Sequence, residues 1–197
     1  YEEADQWVEK SLRESRHSGN KKNLGSLLGL KANIAEERGM SAEAMRYARQ
    51  SLFYDHKTGN LSGCAGTWNN LGYKLYFLKL HQNENALHCY AEALKYANAN
   101  DAVYILDNMA NVYVQLRDFD RAFYFFSKAF DKIHPGADEK TLLNNSGGDI
   151  LNKANAEFII NLILDKAEAY LKKYKQTGDL QFIRQALVIY RTADRLL

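Results

Sequence analysis

Proline is almost absent from this chain of 197 residues; Pro135 is the only one. Proline interrupts helices by removing a backbone donor and fixing φ. Its scarcity, beside abundant Ala, Leu, Lys and Glu, favours helix over strand. Cysteine is nearly as rare. Cys64 and Cys89 have neither metal-ligand spacing nor the number needed for a disulfide framework, so free, partly buried thiols are expected. Neither sign of charge dominates: 26 Lys and Arg against 24 Asp and Glu leave a formal net charge of +2. That removes the electrostatic footprint of a nucleic-acid binder or of a protein drawn to an acidic membrane surface. No apolar run approaches the roughly 20 residues that cross a bilayer. The longest, Phe158-Ile159-Ile160 and Leu162-Ile163-Leu164, is interrupted by Asn161 and closed by Asp165.

Catalytic chemistry is just as sparse. There is no G-x-S-x-G, no Walker loop and no C-x-x-C. His17, His56, His81, His88 and His134 are scattered, and Glu84 and His88, four apart, lack a third metal ligand. Glu36 and Glu37 are adjacent, so they point to different sides of a helix and read as solvated charge. No enzyme, cofactor or metal is expected. The chain opens at Tyr1 in helical sequence, without Met, which predicts a fragment or a processed chain.

What the chain has is repetition. Ala4, Ser11-Leu12 and Gly19-Asn20 recur as Ala44, Ser51-Leu52 and Gly59-Asn60, each forty positions on. A fixed period in this range marks stacked repeats. Helical periodicity predicts helices at about 1–15, 24–38, 41–54, 65–80, 84–97, 102–116 and 119–132. Ser41 is expected to cap the third. A longer helix is expected from about 150 to 175, and a last one after Thr177-Gly178-Asp179-Leu180. Small residues mark where paired helices approach: Ala44/Ala48/Ser51, Ala86/Tyr90/Ala93 and Ala122/Phe126/Ala129 in the second helix of each pair, with Ala32, Gly72 and Ala110 in the first. Phe119, Phe123, Tyr124, Phe125, Phe126 and Phe130 read as packing between repeats, Phe125 being hardest to place on one buried face. Between 134 and 149, His-Pro-Gly and Asn144-Asn145-Ser146-Gly147-Gly148-Asp149 are loop chemistry.

Trp68-Asn-Asn-Leu71-Gly72-Tyr-Lys-Leu75 resembles the tetratricopeptide motif W-x2-L-G-x2-Y, with Leu in place of the last Tyr. Leu106, Met109-Ala110 and Tyr113, followed by Ala122, Phe126 and Ala129, is a second copy; Leu28, Ala32 and Ala35, followed by Ala44, Ala48 and Ser51, is a third. The family's closing proline is missing from all three. The resemblance implies an all-α fold, a superhelical solenoid of antiparallel helix pairs in one domain over 1–197. In it 1–20 is the second helix of a truncated repeat; 24–54, 65–97 and 102–132 are repeats; 134–149 is a loop; and 150–197 is an enlarged last repeat. That last stretch, with Leu164-Asp165-Lys166-Ala167-Glu168-Ala169-Tyr170-Leu171 and Ala186, Tyr190 and Ala193, resembles the repeat before the peptidase in bacterial CHAT proteins (caspase-like domains associated with tetratricopeptide repeats). The His/Cys pair of that peptidase has no match here.

In such solenoids the first helix of each pair lines the concave groove. The inward positions are then Asn33, Asn69, Asn70, Tyr73, Tyr104, Asp107, Asn108 and Asn111. Asparagine offers donors and an acceptor, so it holds a peptide backbone whatever its side chains. Chaperone-binding relatives use two lysines, an arginine and two asparagines to clamp a C-terminal carboxylate. Asn33 and Asn70 match the asparagines, but Gly29, Tyr104 and Asn108 stand at the basic positions, which argues against carboxylate capture. The expected partner is a protein or peptide and not a nucleic acid. The expected role is the sensing arm of a larger bacterial protein, with self-association or clamping of its own peptidase as the alternative.

Overall fold

The computed structural model describes residues 2–133, 136 and 156–196. Apart from Gly136, the expected 134–149 loop and the start of the helix expected from 150 lie outside them. The described residues are helical with short turns, and no strand occurs among them. The helices are α1 (Glu2–His17), α2 (Lys22–Glu37), α3 (Ser41–Thr58), α4 (Leu61–Asn70) running directly into a π-helical segment (Leu71–Lys79), α5 (Asn83–Leu94), α6 (Ala99–Gln115), α7 (Phe119–Ile133), α8 (Ala156–Thr177) and α9 (Leu180–Leu196). None of the described helices is long and apolar enough to cross a membrane.

Residues gather into two compact units, Tyr1–Asp101 and Ala102–Leu197. In the first, α2 and α3 form a tightly packed hairpin, α1 lies on α2, and α4 with its π segment packs on α3 and α5. Val8, Leu12, Leu24, Leu27 and Leu28 form a core where α1 meets α2, with Ile34, Tyr47 and Tyr54 packed against it. A charge cluster ties the same two helices. Lys31, only 7% exposed, lies 2.6 Å from both Asp5 and Glu9, and Arg38 bonds Asp5 at 2.7 Å. In the second unit α7 packs on α8 and α8 on α9. Phe123 stacks on Tyr170 with centroids 4.3 Å apart.

The small residues do what their spacing demands. Ala44, Ala48, Ser51, Ala86, Tyr90, Ala93, Ala122, Phe126 and Ala129 are all at most 2% exposed. Gly72 is buried because the Tyr90 ring fills the place of its missing side chain: a Cβ there would lie 2.7 Å from Tyr90 Cε1. The forty-residue echo also has a backbone cause. Gly59 ends α3 in the left-handed region, φ +71°, and Gly19 follows α1 at φ +67°, a conformation glycine adopts without strain.

Local details depart from expectation. Ser41 is the first residue of α3 rather than its cap; Met40 holds the cap position, and no side chain bonds there. The cap instead belongs to Asn60, whose Oδ1 accepts from the Gly63 N–H at 3.2 Å, so α4 starts four residues before the expected 65. Phe125 does find a partner: it stacks on Tyr113 at 5.4 Å, with planes 4° apart. Glu36 is not solvated. It is 6% exposed and pairs with Lys79 at 2.8 Å, because Lys79, from the end of the π segment, reaches over it and also bonds its backbone carbonyl.

Candidate functional site

The predicted groove residues fall into two sets, one in each unit. In the first unit Asn33 of α2 and Asn70 of α4 line one small cavity of about 30 Å³, together with Gly29, Thr67 and Lys74. That is room for a water or two. Both asparagines are half-buried. Asn33 also lines a neighbouring cleft of about 400 Å³ with Ala4, Trp7, Val8, Leu30, Ile34, Glu37 and Lys74. Trp7 is 60% exposed and Leu30 44%, so an apolar wall runs out from the Asn33 amide. Glu37 and Lys74 meet at 3.1 Å at its edge.

The π segment positions this edge. Its wider turns are closed by bonds such as Leu80 N–H to Leu75 C=O at 2.9 Å, each spanning one residue more than an α-helical bond. Side chains after Asn70 are therefore re-aimed. Leu75 is buried, Lys74 reaches α2, and Tyr73 is left exposed, stacked on Phe77 at 6.3 Å. Asn69 is half-buried and is not among the residues lining either cavity. Nothing in residues 71–79 announces a π-helix.

In the second unit Tyr104, Asp107, Asn108 and Asn111 fall on one face of α6 by their spacing. Tyr104 is 54% exposed; Asn108 and Asn111 are half-buried. Asn111 Nδ2 donates to Asp165 Oδ2 of α8 at 2.7 Å. Burial first, then the charge of the same Asp165, pushes the Asp107 carboxyl well above the usual range. Its Oδ1 is sealed from solvent with no hydrogen-bond partner. Sequence reading placed Asp107 on this face but missed Asp165, which comes from a helix more than fifty residues away.

A second buried carboxylate was not anticipated. Asp55 of α3 is 1% exposed. Asn60 Nδ2 donates to its Oδ1 at 2.7 Å, and Ser51 Oγ lies 3.2 Å from its Oδ2 and 2.8 Å from the Gly25 carbonyl. Ser51 also meets Thr67 Oγ1 at 3.0 Å. Burial raises the Asp55 pKa against those hydrogen bonds. Gly25 and Gly63 leave the space it occupies: a Cβ on either would sit 2.0 or 2.6 Å from its carboxyl atoms. The visible hints were those glycines and the small Ser51.

The cysteines are unsuited to nucleophilic work, which needs thiolate. Both are free and buried. Burial, helped by Glu92, pushes Cys89 up to about 12, and burial, helped by Asp55, raises Cys64. Among the described residues no three His, Cys, Asp or Glu side chains cluster as metal ligands; His88 instead meets Trp68 edge-on at 6.4 Å. No known family model, curated protein or solved structure matches this chain.

Proposed function

We propose that this chain is a non-catalytic, peptide-binding tetratricopeptide-like module, serving as the sensing arm of a larger bacterial protein of the CHAT type. The observation that carries the peptide-binding reading is the meeting of Asn33 and Asn70 on one cavity. They come from α2 and α4, and Asn33 also lines an apolar cleft with an exposed indole. Amides beside an apolar wall suit an extended peptide, the amides bonding its backbone and the wall taking a bulky side chain. The peptidase context is supported by the resemblance of the last repeat alone.

The test is selection from a random-sequence peptide library on the wild-type chain, followed by affinity measurement on Asn33→Ala/Asn70→Ala. With each amide bond worth about 1 kcal/mol, the double variant should bind about thirtyfold more weakly. Peptides that bind the variant as well as the wild type would sink the site. The exposure of Trp7 also favours a second reading, self-association; light scattering separates the two, since a dimer lost in Trp7→Ala would support it.

A further inference from the structure

We infer that a second cleft of the first unit docks an acidic segment of a partner protein. The cleft, about 350 Å³, lies where the end of α1, the start of α2 and the middle of α3 meet. Leu24 and Leu28, both buried, and the half-buried Tyr54 give it apolar depth. Phe53, 60% exposed, lines it from α3. Arg16 of α1 and Arg49 of α3, both exposed, bring two guanidiniums to it. It shares no lining residue with the cavity of Asn33 and Asn70 or with the cleft of Trp7, so it stands apart from the site proposed above.

The charge pattern names the occupant. Elsewhere in this unit basic side chains are matched: Lys31 by Asp5 and Glu9, Arg38 by Asp5, Lys74 by Glu37 and Lys79 by Glu36. Among the described residues neither Arg16 nor Arg49 forms an ion pair. Lys57 adds a third cation, its Nζ 5.6 Å from the centre of the Phe53 ring. The acids close by in sequence do not answer them. Asp55 is 1% exposed and bonded to Asn60 and Ser51. Glu14 is two positions from Arg16, a spacing that puts it on another face of α1. Guanidiniums grip carboxylates with paired N–H bonds, and the apolar depth between them takes a bulky side chain beside the acid. Nucleic acid fits less well. Its phosphate backbone is held by many cations along a track, whereas this site is a short cleft floored by leucine in a chain of net charge +2.

The experiment measures fluorescence anisotropy of a labelled peptide in which glutamates flank one phenylalanine, against its neutral glutamine isostere. The glutamate peptide should bind about tenfold more tightly, and added salt should erode that preference. Arg16→Gln and Arg49→Gln, at exposed positions, should each weaken it about threefold, and together about tenfold. Arg184→Gln, which removes one charge from the second unit, should leave binding unchanged. So should Asn33→Ala/Asn70→Ala, because the two sites have no residue in common. Equal binding of the two peptides, binding of neither, or losses in the arginine variants no larger than in Arg184→Gln would overturn the cleft. Tighter binding of a thymidine oligonucleotide than of the glutamate peptide would overturn it in favour of nucleic acid. A dimer that light scattering finds in the free chain and loses in Arg49→Gln would overturn it in favour of a second copy. Loss of the glutamate peptide only in Asn33→Ala/Asn70→Ala would defeat this cleft while leaving the amide site standing.

Discussion

Asp55 shows how one buried charge dictates its neighbours. Its carboxylate is held by Asn60 and Ser51 and flanked by Gly25 and Gly63, so it has nowhere to retreat. In an ordinary helix interior Gly→Ala stabilises by up to about 1 kcal/mol. Gly66, in α4, has open space where a Cβ would stand, with nothing within 4 Å, and should behave that way. Gly25→Ala should do the opposite, because its methyl would lie 2.0 Å from Asp55 Oδ1; overpacking of this kind costs about 1–3 kcal/mol. Urea unfolding of both variants checks the pair, and a neutral or stabilising Gly25→Ala would show that Asp55 is not confined. A glycine in a helical stretch looks alike in both places; only the side chain opposite distinguishes them.

Helix α4 depends on a residue that serves two structures at once. Asn60 caps it through Oδ1 and bonds Asp55 through Nδ2. Asn98 caps α6 in the simpler way, accepting from the Asp101 N–H at 2.9 Å on an exposed surface. Losing a cap costs about 1 kcal/mol, and leaving a buried acceptor unmatched costs about 1–3 more. Asn60→Ala should therefore destabilise by at least twice as much as Asn98→Ala in denaturant melts; equal losses would mean that the Asp55 bond contributes nothing. Helices were legible in the periodicity because burial on one face repeats every three or four residues. The π segment was not, because its apolar and small residues suit an α-helix equally well.

Asp55, buried, and Asp107, half-buried with its Oδ1 sealed from solvent, give the whole chain a pH signature. An unfolded aspartate titrates near ~3.9, while burial raises Asp107 and Asp55 in the folded chain. Between the unfolded and folded values the folded chain keeps a proton that the unfolded chain has lost. Stability is therefore full below the unfolded pKa and falls as pH rises through the folded pKa, by up to about 1.4 kcal/mol per pH unit for each group. Asp107→Asn should flatten most of that slope in urea melts across the acid-to-neutral range. A slope unchanged in the variant would assign it to other groups. Of the candidate site, Asn33, Asn70, Tyr104, Asn108 and Asn111 could be picked from their places on helix faces. Trp7 and Leu30 could not, since an exposed and a buried apolar residue look the same until a neighbour covers one.

Local properties were readable from the residues alone: the helices, their glycine stops and the small positions where helices touch. Each follows from interactions within a few positions along the chain. The tertiary structure alone decided which distant groups meet, as with Asp107 and Asp165, Glu36 and Lys79, or Asp55 between Gly25 and Gly63. Such meetings depend on the angle and phase at which whole helices pack, and in the π segment on hydrogen bonds that span one residue more than in an α-helix. No short-range pattern encodes either.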